Sequence, residues 1–312
     1  MATLRSSLAE LYTPIYDEFL IQNFQEYAQV GPKIFTVKDD ESKEVKINDM
    51  SGLGRWEDTN EAEAGNTEDP VLGYAKTYTH TKQTKTLQVS FEAVDDDEYA
   101  LLGKLGQASS LGKGARDKAE YDDAQVLVNA FSVAGPDGQF GYDTDHPKNR
   151  EETSTTYSNL LTGAFSHDSL EAAETQIAAN FFDMDGIPIP VTGEINLVYP
   201  PALRGAVARV LSERALERPS TTMRDINRFV GAKTVYKYNP IEWVYLGTAL
   251  GGTNTQWHMI FTWLEYLKMY WRERPHFTSW VDEDTEVYNF KGRMRKIQGY
   301  DNWRFGFASA GT

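Results

Sequence analysis

The 312 residues carry 46 acidic and 31 basic side chains, a net charge of −15, and no cysteine. Disulfides and thiolate metal sites are thereby excluded, and tight phosphate binding, which needs Lys and Arg to displace counterions, is not expected of so acidic a chain. A hydrophobic fraction of 40% with 12% aromatics places the chain among folded proteins, with the acidity on its surfaces.

The length allows one large domain or two ordinary ones. The first residues, MATLRSSLAELYTPIYDEF, do not read as a secretory signal. No stretch approaches the ~20 apolar residues of a membrane span. Leu4, Leu8, Leu11, Ile15, Phe19 and Leu20 have roughly helical spacing, interrupted by Pro14, which predicts a short, broken helix or arm. From Ile34 the pattern turns strand-like, and Arg55 to Gly73 has almost no apolar residue between Trp56 and Val71, as in an exposed loop tip.

Ala75 to Phe91 is a long β-prone run with Thr at alternate positions and no apolar face before Leu87, Val89 and Phe91. Such a strand has little to fix its register within one chain. Residues 34–91 are therefore expected to form a long hairpin arm steadied by neighbouring molecules, with an ordinary edge hairpin as the alternative.

Residues 95–132 are expected to be helical in two pieces, weakened at Gly103, Gly106, Gly112 and Gly114. The second piece has Tyr121, Ala124, Val128 and Phe131 on one face. Asp95, Asp96 and Asp97 would cap the first. Asp168 with Glu171 suggests a capping pair for a helix presenting Leu170, Ala173, Ile177 and Phe181. Ile195, Leu197 and Tyr199 alternate as in a strand, and Pro200 and Pro201 then start a helix running to about Glu217 and ended by Pro219. Short strands are expected at Thr234 to Tyr238, Glu242 to Leu246 and Trp257 to Leu264, a Gly-rich loop at Gly247 to Gly252, and strand-like structure from Glu286 to Ala308. Helices and strands do not alternate regularly, so the class is α+β.

Chemistry is harder to find. GQASSLGKG, Gly106 to Gly114, superficially resembles a phosphate-binding loop, but five residues separate Gly106 from Gly112 and Gly114 stands where a Ser or Thr is needed. It is expected to be a flexible interruption between helices. DMDG at Asp183 to Gly186 lacks the later ligands of a calcium loop and reads as a turn. His80, His146, His167, His258 and His276 show no close ligand spacing, and no G-x-S-x-G elbow is present. A triad dispersed along the chain stays open. Trp243, Trp257, Trp263, Trp271, Trp280 and Trp303 crowd the C-terminal third in mixed-charge surroundings, as core or interface residues more than as base-stacking platforms. No residue is nominated as catalytic, cofactor-binding or metal-ligating, and no cofactor is expected.

Three segments carry a family resemblance: GQFGYDTDHP (Gly138 to Pro147), TYSNLLTGAFSHDSLEAA (Thr156 to Ala173) and DMDGIPIPVTGEINLVYPPALRGAVARVL (Asp183 to Leu211). With them the chain resembles tailed-bacteriophage major capsid proteins of the Hong Kong 97-type fold, most of all the major head subunit of Mu-like phages. The resemblance extends over most of the chain and is sharpest at residues 138–240. It implies an N-terminal arm at 1–33, an extended β-hairpin loop at 34–93, a spine helix and peripheral domain at 94–165, an axial domain at 166–275, and C-terminal strands at 276–312 that complete the core sheets.

It further implies a non-enzymatic subunit, made in the host cytoplasm and located in the virion, that assembles with itself into hexamers and pentamers of an icosahedral shell. The shell would enclose double-stranded DNA without sequence-specific contact and without membrane. Its other implied partners are a portal and, because no long coiled-coil segment precedes the arm, a separate scaffold protein unless the sequence is an already processed form, with a decoration protein as a further candidate. Some relatives cross-link a Lys of the extended loop to an Asn. Lys76, Lys82 and Lys85 are present, but nothing in the sequence identifies a partner, so that chemistry is not carried over. Two other readings are kept in view: an encapsulin-like compartment of the same fold, and a soluble acidic hydrolase.

Overall fold

A computed structural model describes residues 29–52, 54–62, 64–67, 69–92, 104–212, 215–217, 224–226, 229 and 236–311. The expected N-terminal helix, the cap at Asp95 to Asp97 and the stop at Pro219 lie outside them.

The centre is a five-stranded sheet in the order β11–β8–β12–β15–β7, formed by β11 (Tyr238–Glu242), β8 (Ile195–Tyr199), β12 (Trp257–Ile260), β15 (Gly306–Ser309) and β7 (Leu160–Leu161). All five residues of β8 are buried. Its two-residue alternation explains this: Ile195, Leu197 and Tyr199 enter one apolar cluster, while Val198 enters another on the opposite face. A strand covered on both sides is apolar on both except where a polar side chain is satisfied, as Asn196 is by Asn239 and Thr262, so the half-alternating sequence is a fully buried strand.

One face is covered by α3 (His167–Asn180) and α4 (Arg204–Ser212). Leu170, Ala173 and Ile177 point into the core as their spacing predicts. The cap differs from expectation: Ser166 is the N-cap, its hydroxyl accepting from the Ser169 amide, and Ser169 closes a capping box in place of Asp168 and Glu171. A Ser hydroxyl at N3 reaches back to the N-cap amide by itself, which leaves Asp168 to complement the helix dipole. Helix α4 follows a 3-10 turn at Pro201–Leu203 and ends earlier than expected, at Ser212. The next described residues form β9 (Ala215–Glu217), antiparallel to β10 (Arg224–Ile226).

The other face is covered by α2 (Lys104–Asn129), one unbroken helix of 26 residues through Gly106, Gly112 and Gly114. Each glycine costs about 1 kcal/mol against Ala, and burial of Leu111, Ala119, Ala124 and Leu127 outweighs that. The buried stripe also differs from the expected one. Tyr121, Val128 and Phe131 are only half-buried, whereas Glu120 and Asp123 lie inside. The short helix α1 (Gly31–Ile34) packs against α2 through Ile34 and Phe35.

Extending from this body is a four-stranded sheet in the order β1 (Thr36–Asp39), β13 (Leu267–Asp282), β14 (Val287–Tyr300) and β4 (Thr81–Ser90). Its spine is the antiparallel pair of β13 and β14. No local sequence pattern marks β13, the longest strand, which runs continuously across residues 275 and 276, the expected limit of the axial segment. Pro275 obscured it, yet it sits where the register shifts between Glu273 and His276, a bulge at which the missing N–H is tolerated.

The expected single hairpin over 34–91 is three separate pairings. β1 (Thr36–Asp39) runs parallel to β13, β2 (Glu44–Met50) pairs with β3 (Leu72–Thr79), and β4 (Thr81–Ser90) pairs with β14. The polar run at 75–91 thus divides near His80, and its second half takes its register from a strand some two hundred residues away. The short strands expected after residue 234 are also reapportioned. Val244–Leu246 and Thr262–Leu264 are 3-10 turns, as is Thr248–Leu250 within the Gly-rich loop, and Trp303–Phe305 is another between β14 and β15.

Candidate functional site

Two kinds of feature stand out: surfaces left open by the fold, and ionisable groups sealed inside it. The β2–β3 hairpin is anchored at its base. Tyr78 lies across Gly299, where an added Cβ would come within 2.4 Å of its ring, and its hydroxyl donates to the Tyr300 carbonyl. Burial raises the Tyr78 phenol above its ordinary value, so it remains a donor. Asn302 Nδ2 donates to Asp49 Oδ2 at 2.7 Å, and Tyr74 donates to the Asn149 carbonyl at 3.3 Å. Lys76 lies over the Tyr300 ring at 5.1 Å, and burial holds its amine below the ordinary range.

Beyond that base the chain opens into the loop expected from the sequence. Trp56 is 93% exposed, in a loop that also exposes Glu57, Asp58, Glu61 and Asp69. A large indole left in water among carboxylates gains nothing for its own chain.

Elsewhere α2 and the long sheet enclose a groove of about 490 Å3. Leu111, Phe277 and Met294 form its apolar floor, while Lys82, Lys85, Lys118 and Arg293 rim it. Lys118 pairs with Asp122 at 2.6 Å, which also accepts from Gln83 Nε2 at 2.6 Å and ties β4 to α2. Lys82 and Lys85 are exposed.

Inside, His146 of the D-H-P stretch is sealed. Its Nδ1 is 2.6 Å from Asp137 Oδ2, its Nε2 is 3.1 Å from Asn159 Oδ1, and its ring stacks on Trp303 at 4.7 Å. Asn159 Nδ2 donates to the carbonyls of Gly141, Trp303 and Gly306, which fixes its oxygen toward the imidazole. Acceptors therefore occupy both ring nitrogens, and among the described residues no nucleophile is hydrogen-bonded to the ring. His258 is buried beside Tyr142, whose hydroxyl lies 3.2 Å from Nδ1, and desolvation lowers the imidazole to about 3. It is a core residue, too far down the acid range to act as a base near neutral pH. Arg304, 3% exposed, stacks on Trp303 and donates to the carbonyls of Phe182 and Lys148, with burial lowering its basicity.

The remaining motifs resolve as local structure. Gly106 to Gly114 is helical, so neither a phosphate cradle nor the expected flexible interruption forms there. Asp183 Oδ1 accepts from the amides of Asp185 and Ile187, closing the expected turn, with Gly186 at φ +82°. Trp243, Trp257, Trp271 and Trp303 are buried, and Trp280 is 45% exposed. Among the described residues no group of three or more His, Asp or Glu is arranged to hold a metal, and no helix is long and apolar enough to cross a membrane.

One cluster had no counterpart in the sequence reading. Lys296 and Asp123 pair in the core between β14 and α2, with Glu120 buried one helical turn before Asp123. The signal is present in the sequence, since Glu120 and Asp123 fall among Ala119, Ala124 and Leu127 on one helical stripe, but a carboxylate by itself points to a surface.

Comparison with known structures decides the architecture. The chain resembles the mature capsid of bacteriophage PhiM1 at 11% identity and a TM-score of 0.56, over 91% of this chain and 87% of that one. For the capsid of cyanophage P-SCSP1u the values are 9% and 0.58, over 90% and 88%. The chain has the phage-capsid fold. A virus-like particle from Pyrococcus furiosus shares this capsid fold, with 11% identity and a TM-score of 0.54 over 96% of this chain and 99% of that one. Residues 74–170 match the family model of the Mu-like prophage major head subunit gpT. This segment takes in Gly138 to Pro147 and most of Thr156 to Ala173, whereas Asp183 to Leu211, the longest of the resembling segments, lies outside it. No curated protein matches the chain.

Proposed function

We propose that this chain is the major capsid subunit of a tailed phage, with a structural and not an enzymatic role, building hexamers and pentamers of an icosahedral shell around double-stranded DNA. The observation that carries this reading is the match of residues 74–170 to a major head subunit family within a chain whose capsid fold spans at least 90% of its length. Residues 1–33 then serve as the arm, 34–93 as the extended loop, 94–165 as spine helix and peripheral domain, 166–275 as the axial domain, and 276–312 as the closing strands. A net charge of −15 suits a wall that DNA slides past. Portal, scaffold and decoration proteins are the partners this role requires, and the virion is where it is exercised.

The open surfaces support the same reading. An acidic loop bearing an exposed Trp and a basic groove with an apolar floor, on one chain, form a heterologous pair. Repeated head to tail, such a pair closes a ring where the rotation between neighbours closes, and runs into a filament where it does not. A second reading, a protein compartment of the same fold, is favoured by the 99% coverage of the Pyrococcus furiosus particle chain.

Electron microscopy and sedimentation of the protein, alone and coexpressed with its genomic neighbours, test both. Closed shells or capsomers are expected, and shells that copurify with a cargo protein instead of filling with DNA favour the compartment. A stable monomer under every condition refutes both. Deleting residues 55–70, which spares β3, should leave a folded subunit that builds no normal shell; normal particles would count against the loop's role.

A further inference from the structure

The side chain of Lys296 is wholly buried. Its Nζ lies 2.6 Å from Asp123 Oδ1 and 2.7 Å from the Ala119 carbonyl, over the Trp271 ring at 5.5 Å. Asp123 is 2% exposed, and the backbone of Gly31 closes over its second oxygen so tightly that a Cβ there would stand 2.3 Å from Oδ2. Burial raises the Asp123 carboxyl to about 7. Glu120, three residues earlier on the same helical face, is 6% exposed. Its oxygens accept from the amides of Val30 and Gly31 and from Trp243 Nε1 at 3.0–3.3 Å.

Two opposite charges in so dry a place each lose several kcal/mol of hydration. A neutral amide made from the same atoms would lose far less. We infer that Lys296 and Asp123 condense after folding into an intramolecular isopeptide bond that ties β14 to α2, with Glu120 as the positioning carboxylate that holds the Gly31 backbone over Asp123.

The chemistry balances without a co-reactant. Transfer of one proton along the hydrogen bond converts ammonium and carboxylate into amine and carboxylic acid, with no change in total charge. The Nζ lone pair attacks Cγ of Asp123, the new C–N bond forms, and one C–O bond breaks. The departing oxygen keeps the acid proton and receives one amine proton, so one water leaves. In water the condensation is unfavourable. Holding the reacting atoms at about 3–3.5 Å supplies an effective concentration on the order of 10⁵–10⁸ M, and the closed core withholds the water that hydrolysis would need.

Intact-mass spectrometry of the denatured full chain, followed by tryptic mapping, tests this. The expected result is a mass one water below that of the sequence, no cleavage after Lys296, and a branched peptide joining the Lys296 and Asp123 segments. Lys296→Arg and Glu120→Gln should both show the full mass. Full mass in the natural chain, or a water loss that persists in Lys296→Arg, overturns the inference. A branched peptide that still forms in Glu120→Gln overturns the part given to Glu120. The decisive arm uses the unaltered chain, so a variant that fails to fold does not weaken the test.

Discussion

Acidification should destabilise the subunit through His258 in a measurable way. The imidazole is fully buried, and desolvation lowers it to about 3, while an unfolded histidine titrates near 6.5. Its native value is depressed, so between pH 6.5 and 3 the unfolded chain binds a proton that the native chain refuses. Stability is then intact above the unfolded value and falls as pH drops. At pH 5 the unfolded value lies about 1.5 units higher, which at 1.36 kcal/mol per unit is about 2 kcal/mol lost. His258→Gln removes the titration while keeping an acceptor for the Tyr142 hydroxyl. Urea unfolding of both proteins at pH 7.5 and pH 5, at one fixed protein concentration, isolates the contribution from the carboxylates that titrate in both. The natural chain should lose about 2 kcal/mol more than the variant. Equal losses would refute the reasoning.

Three further outcomes are expected. Asn159→Ala strips acceptors from the Asp143 amide and His146, and a donor from three buried carbonyls, so it should cost about 3 kcal/mol or more in urea unfolding. Gly299→Val should displace Tyr78 at a cost of about 1–3 kcal/mol, read as faster hydrogen exchange in β2 and β3 with the five-stranded sheet unchanged. Trp56→Ala, at a 93% exposed position, should leave subunit stability within about 0.5 kcal/mol while impairing shell assembly in sedimentation.

What the sequence disclosed, and what it hid, divides along physical lines. Helix α3 was legible because Leu170, Ala173 and Ile177 repeat at the helical period against one neighbour. The loop at Trp56 was legible because it contains too few apolar residues to form a core. The partner of β4 was not, since pairing Lys82 with Arg295 and Leu87 with Phe290 depends on chain closure across two hundred residues, which no local pattern encodes. β13 was hidden by Pro275, whose breaking effect holds for a regular strand and lapses at a bulge. The buried ion cluster was hidden by its partner's distance: Asp123 reads as a surface residue until Lys296 arrives from the other end of the chain.

These separate pairings bear on what a shell subunit needs. Summed weak contacts close a shell only if each surface is presented in a fixed direction, because every degree of freedom frozen on assembly subtracts from a modest interface. In this chain the β2–β3 hairpin is held at its base by Tyr78 and Asn302, and the groove's two walls are joined by Gln83 and Asp122. Lys296 and Asp123 join the same two walls from within. The acidic loop and the basic groove are thus carried on one braced framework, and apart from the Gln83–Asp122 bond between β4 and α2 these anchors reach strand β14 or the turn after it. On the capsid reading, loosening β14 should therefore weaken loop and groove together, whereas altering Trp56 should affect the loop alone.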